Sequence, residues 1–177
     1  MNISWVLADD IVLDPTVNID QLKKIGSLWG SWRTWRACQT DNVICHQASR
    51  AQELIEKNFQ SICNFYIHNG LYILLDTPPG VQPYGGDFSH GVSRPDELVA
   101  MHLASASNNI VLLLGFDWTE NTKNQDPHQW GMIYSAIKSN EQTQWVLVDP
   151  PENLRPDLAS LGNFTTDSLP NVLKFSA

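Results

Sequence analysis

The sequence predicts a three-layer α/β protein, doubly wound around a mostly parallel sheet of five strands and Rossmann-like or flavodoxin-like in strand order. Three observations carry this. Short apolar runs rich in β-branched residues recur along the chain, as in strands covered on both faces. Segments with readable helix starts separate them, and such alternation favours a parallel sheet. Several of the runs end in Asp, at the edge where open parallel sheets bind ligands.

The first run is Ile3–Ala8, ending in Asp9-Asp10. Asn18-Ile-Asp-Gln21 has the form of a capping box and leads into Leu22, Ile25 and Leu28–Trp29 on one helical stripe. Val43–Cys45 and Asn64–Ile67 are shorter strand candidates, and Ser49 or His46 can open a helix between them. Leu71–Leu75 reads as a strand ending in Asp76. From Pro78 to Gly91 the chain holds three Pro and four Gly, and is read as a flexible loop, either lid or flap. Ser93-Arg-Pro-Asp96 opens a helix with Ser at the cap and acids in the first turn. Ile110–Leu114 is a strand running to Asp117; Asp126-Pro127 starts the next helix, and Trp145–Val148 is a strand ending in Asp149. The tail gives a short strand at Phe164 and a last helical turn near Asp167. All 177 residues are expected to form one α/β domain.

Composition excludes several functions. Hydrophobic residues make up 42% and charged residues 17%, so the chain can build a core. Its net charge is −8, and its few Lys and Arg are scattered. Nucleic acid and anionic membrane surfaces are therefore not expected partners. The apolar runs fall short of a bilayer span, and MNISWVLADD lacks the basic start and long apolar stretch of a secretory signal. Three Cys suit a reducing, cytoplasmic location.

The parallel strand ends bring Asp9, Asp10, Asp76 and Asp117 to one edge, where they could meet sugar hydroxyls or amines, although Asp is also common at strand ends and caps. In Trp29-Gly-Ser-Trp-Arg-Thr-Trp-Arg36, a helix would set Trp29, Trp32 and Trp35 along one stripe beside Arg33 and Arg36. Such a stripe packs a core, contacts a second copy or a host protein, or stacks a ligand with Arg33 as anion contact. The Cys and His spacings match no metal motif, and Cys45-His46, being adjacent on a strand, point to opposite faces. His102 falls on an apolar helix stripe as a core histidine, while His90 and His128 lie in or beside loops. Neither a phosphate-binding P-loop nor a dinucleotide fingerprint is present, and no cofactor or metal is implied.

Two resemblances add to this reading. IVLLLGFD, the loop to Asp126, Gln129-Trp-Gly131 with Tyr134, and WVLVD, all within Asn108–Pro151, resemble a unit of the nucleoside 2-deoxyribosyltransferase family. The resemblance implies a nucleoside ligand, with Gln129 at the family's catalytic Glu, and an amide cannot act as that nucleophile. Either catalysis is lost, or a different acid, Asp117, Asp126 or Glu97, replaces it, or the likeness is one of architecture only. GSWRTWRACQTDNVICH, LVAMHLAS and IVLLLGFD together resemble small uncharacterised proteins of large tailed phages, which implies an accessory protein in the host cytoplasm.

These observations give three expectations. The first is a protein binding a nucleotide- or nucleoside-type molecule through Asp9, Asp10, Arg33, Asp76, Asp117 and Gln129. The second is a hydrolase or transferase of N-glycosidic bonds, and the third an interaction module built on Trp29, Trp32 and Trp35.

Overall fold

Ile3–Leu7 forms β1, fully apolar on both faces apart from Ser4, whose hydroxyl pairs with that of Ser27 at 3.0 Å. In this computed structural model, which describes residues 2–13, 15, 17–86, 88, 92–107, 109–121 and 126–174, seven more strands follow. They are β2 (Ser27–Ser31), β3 (Asn42–Ile44), β4 (Asn64–His68), β5 (Val81–Tyr84), β6 (Ile110–Leu114), β7 (Gln144–Val148) and β8 (Phe164–Asp167). All pair in parallel in one sheet, in the order β5-β4-β3-β2-β1-β6-β7-β8.

The helices start where local chemistry allows. Asn18 caps α1 (Ile19–Ile25) by accepting from the Asp20 N–H at 2.9 Å. Ser31 caps α2 (Trp32–Cys38) through the Thr34 N–H at 3.2 Å. The helices α3 (Ala48–Glu56) and α4 (Asn69–Leu74) follow β3 and β4. The crossover helix α5 (Pro95–Ser107) connects β5 to β6, and α6 (Pro127–Ser139) opens on Asp126, which accepts from the Gln129 N–H at 3.0 Å. Two short helices, α7 (Pro156–Ala159) and α8 (Leu169–Leu173), complete the order.

Alternation along the strands divides the core into layers. Val6, Ala8, Val111, Leu113, Trp145 and Leu147 face α5, α6 and α7. Trp5, Leu7, Leu112 and Leu114 face Leu22 of α1 and Leu169 and Val172 of α8. Further along that second face, Val43, Cys45, Phe65 and Ile67 pack under α3 and α4. The chain winds outward from β1 to β5, returns through α5, and winds the other way from β6 to β8. The sense of winding reverses between β1 and β6.

The α/β class and parallel sheet stand as expected, but the sheet has eight strands rather than five, and four lie on one side of β1 and three on the other. That order is not flavodoxin's. Leu71–Leu75 is no strand: its first four residues lie in α4, capped by the His68 ring, which accepts from the Gly70 N–H at 3.1 Å. Four successive apolar residues fit either period, and here the cap decides. Ser27–Ser31 leaves the predicted helix stripe to become β2. Within the stretch read as a loop, Val81–Tyr84 forms β5, where Pro83 is tolerated because the strand lies at the sheet edge. Residues 87 and 89–91 of that stretch, His90 among them, lie outside the described residues.

One close approach fixes the entry into β2. A Cβ on Gly26 would stand 2.3 Å from the Ile3 carbonyl oxygen, which is backbone and cannot swing aside. Gly26→Ala should therefore cost about 2 kcal/mol, as overpacking does. Urea unfolding checks this, and an unchanged midpoint would show that β1 and α1 can separate freely.

Candidate functional site at the β1–β6 crevice

β1 and β6 stay paired to their carboxyl ends, and the loops that follow them part where the winding reverses, which opens a crevice. Past β1 the chain continues as Ala8-Asp9-Asp10. Past β6 it turns at Gly115, whose φ of +86° suits glycine, before Phe116, Asp117 and Trp118. The first turns of α5 and α6 close the sides. The result is a cavity of about 470 Å³ lined by Asp10, Arg94, Glu97, Asp117, Gln129 and Trp130, among others. That volume suits a ligand of nucleoside size. Phe116, Trp118 and Trp130 form an aromatic wall, with ring centroids 5.0 Å apart for the first pair and 6.0 Å for the second.

A hydrogen-bond network holds the polar side. Glu97 Oε1 accepts from the Asp9 N–H at 2.7 Å, which ties α5 to the end of β1. Glu97 Oε2 meets the Gln129 amide at 3.4 Å. Gln129 Oε1 in turn accepts from Ser93 Oγ at 2.9 Å and the Arg94 N–H at 2.8 Å. Arg94 ion-pairs with Asp10 and reaches Glu97 at 3.5 Å. Asp126 accepts from the Ser93 N–H at 3.1 Å, so the two helix starts are locked together.

A smaller recess of about 120 Å³ lies on the other side of Asp9 and Ser93, and includes Trp32, Arg33, His46 and Asp96. Asp96 Oδ1 accepts from the His46 backbone N–H at 3.0 Å and pairs with His46 Nδ1 at 2.9 Å. Asp96 is buried while His46 is exposed.

Three carboxyls thus crowd the junction of β1 and α5. Burial, then the neighbouring Asp9, pushes the Glu97 carboxyl up to about 7. Burial also raises Asp9 and Asp96, although hydrogen bonds from Ser31 and His46 oppose the rise. The hydrogen bond to Asp96 raises His46. Asp9 Oδ1 is buried with no hydrogen-bond partner among the described residues. Such a cluster of raised carboxyls favours hydrogen-bonding, neutral or cationic ligand groups.

The structure brings Asp10, Asp117 and Gln129 to the crevice, and sets Asp9 and Arg33 in the adjoining recess. It removes Asp76 from the group. Asp76 follows α4, before β5, so it sits at the opposite edge of the sheet, exposed and with φ of +60°. The Trp stripe also separates. Trp29 lies on β2 and faces the α5 layer, where its ring centroid is 5.3 Å from that of Tyr66, whereas Trp32 and Trp35 lie on α2 and pack on the other face. His102 is exposed beside Phe88 rather than in the core, and His128 is exposed in the first turn of α6. Cys45 is no nucleophile at neutral pH, because burial and then Asp96 push its thiol up to about 12.

Sequence reasoning missed Ser93, Arg94, Asp96 and His46 as site residues. Ser93-Arg-Pro-Asp-Glu97 was legible as a helix start, and a helix start at a winding reversal is also where a site forms. Among the described residues no three His, Cys, Asp or Glu side chains converge on a metal position, and no helix is long and apolar enough to cross a membrane. Comparison of the chain with protein-family models, with curated proteins and with solved structures finds no match, so its reading rests on its own site.

Proposed function

We propose that this protein binds a nucleoside-type small molecule in the β1–β6 crevice and serves as a cytoplasmic accessory protein of the phage-encoded kind its sequence resembles. The observation that carries this is the convergence of Asp10, Glu97, Asp117 and Gln129 opposite an aromatic wall in a cavity of about 470 Å³. Carboxyl oxygens accept from sugar hydroxyls and exocyclic amines, the amide both donates and accepts, and an aromatic wall packs a planar ring. Arg33, across Asp9 in the adjoining recess, serves a phosphate if the ligand bears one.

The test is titration with a panel of ribo- and deoxyribonucleosides, together with mass spectrometry of small molecules that co-purify. A bound nucleoside should raise the melting temperature. Asp117→Asn should weaken it about tenfold, the scale of one charge-assisted hydrogen bond, and leave folding intact. If no nucleoside binds, or Asp117→Asn binds as tightly as wild type, the reading fails.

A second reading has one specific observation behind it: the Glu97 carboxyl, buried beside the crevice, lies at about 7. An acid tuned to the working pH suits protonation of a leaving base, so Glu97 would act as general acid while water, or an acceptor base in transfer, bonds to the sugar carbon that the base leaves. Gln129 would then orient the substrate, since its amide is neither acid nor nucleophile. Release of free base that falls by about a hundredfold or more in Glu97→Gln would establish this activity.

A further inference from the structure

A second concave surface lies on the layer away from α5 and α6, between α2, α3 and the 3-10 turn Phe59–Ser61 that follows α3. It encloses about 600 Å³, and its lining includes Trp32, Trp35, Arg36, Arg50, Lys57 and Ile62. We propose that this groove docks an acidic peptide segment of a partner protein, seating an apolar side chain of that segment on its floor. The proposal goes beyond the crevice and does not depend on what binds there.

The floor is apolar. Trp35 packs edge-on to Phe59 with ring centroids 4.7 Å apart, and Ile62 beside them is 62% exposed. The rim is cationic, with Arg36, Arg50 and Lys57 against the single carboxylate of Glu53, in a chain whose net charge is −8. Glu53 is shared by Arg50 and by Lys57, the latter at 2.6 Å. Arg36 meets no carboxylate among the described residues; its guanidinium lies 5.6 Å from the Trp32 ring centroid. Arg50 lies over the same ring at 4.5 Å. Arg50 already holds Glu53, so it is the Arg36 guanidinium, kept in place on Trp32, whose N–H edge is open to a carboxylate in a bidentate pair.

The same contacts decide between occupants. A nucleic-acid strand would stack bases on exposed aromatic faces. Here two guanidinium groups lie over Trp32, and Trp35 is engaged in a T-shaped contact with Phe59. The overall negative charge also repels a long polyanion, whereas a short acidic segment meets the local cations within a Debye length.

The experiment pans a displayed library of random short peptides against the whole immobilised protein and against R36E/K57E. Both substituted side chains are exposed, so the variant should keep the wild-type circular dichroism and lose no more than a few degrees of melting temperature with the Lys57–Glu53 pair. Enriched peptides should carry Asp or Glu flanking an aromatic or aliphatic residue. Their binding should fall at least about tenfold in the variant and weaken in high salt. No enrichment, peptides without acidic bias, or equal binding to the variant would overturn the proposal. So would two other outcomes: a labelled oligothymidylate that binds wild type but not the variant, which assigns the groove to nucleic acid, and a wild-type dimer that the variant dissolves in sedimentation, which assigns it to a second copy.

Discussion

Glu97→Gln should make the protein more stable at pH 8 and leave it nearly unchanged near pH 4.5. The Glu97 carboxyl lies at about 7 in the folded chain against an ordinary 4.5. A carboxyl raised on folding leaves stability whole below its unfolded value and removes it as pH climbs through the folded one. The window therefore runs from about 4.5 to 7, and the loss across it is on the order of 3 kcal/mol. Asp9, Asp96 and His46 are also raised, so each acts with the same sign. Glutamine keeps an acceptor toward the Asp9 N–H but cannot ionise. Urea unfolding across a pH series checks the result. Wild-type stability that rises from pH 5 to 8, or a variant that falls in parallel with it, would show that burial does not govern this carboxyl.

Arg155→Ala should lose about 3 kcal/mol and loosen the aromatic wall of the crevice. Arg155 is 3% exposed, and its guanidinium lies over the Trp130 ring at 4.5 Å. It makes a forked contact to Asp157 at 3.0 and 2.6 Å and reaches Glu120 at 2.9 Å. Its backbone N–H donates to the Trp118 carbonyl at 3.1 Å. The side chain thus ties the segment before α7 to Trp130, while the backbone of the same residue holds Trp118. A desolvated cation–π contact and charged hydrogen bonds of this kind together reach that magnitude. Arg155→Lys should recover less than half, because an ammonium can neither stack nor fork. The urea midpoint and the tryptophan emission maximum measure the effect. A midpoint within experimental scatter of wild type would mean that Trp118 and Trp130 hold each other without help.

The sequence disclosed the parallel sheet wherever a strand was both apolar and β-branched, as in Ile110–Leu114, and wherever a cap was explicit, as at Asn18 and Asp126. It disclosed less where period was ambiguous. Leu71-Tyr-Ile-Leu74 forms helix because β4 already fills the sheet position before it and the His68 ring caps the turn. Ser27–Ser31 has no β-branched residue and gains its strand state from pairing between β1 and β3. The same limit governs the site. Asp10 and Asp117 were legible because they directly follow strands. Asp96 was not, and Glu97 was legible only as an alternative acid, because the burial of both depends on where the crossover helix lands, a tertiary fact with no local signature.

The winding reversal also shapes how the chain folds. β1 is central, with β2 on one side and β6 on the other, yet Ile3 pairs with Ile110 and the Asp9 N–H with Glu97, 88 residues apart. Contacts of such separation carry a heavy loop-closure cost and form slowly. During synthesis from the N-terminus, β1 to β5 can assemble while the free edge of β1 waits for β6. That edge is a row of unpaired amides along an apolar strand, a template for pairing with another nascent chain. Refolding yield should therefore fall with protein concentration, and the crevice, which spans that seam, should be among the last parts of the molecule to become native.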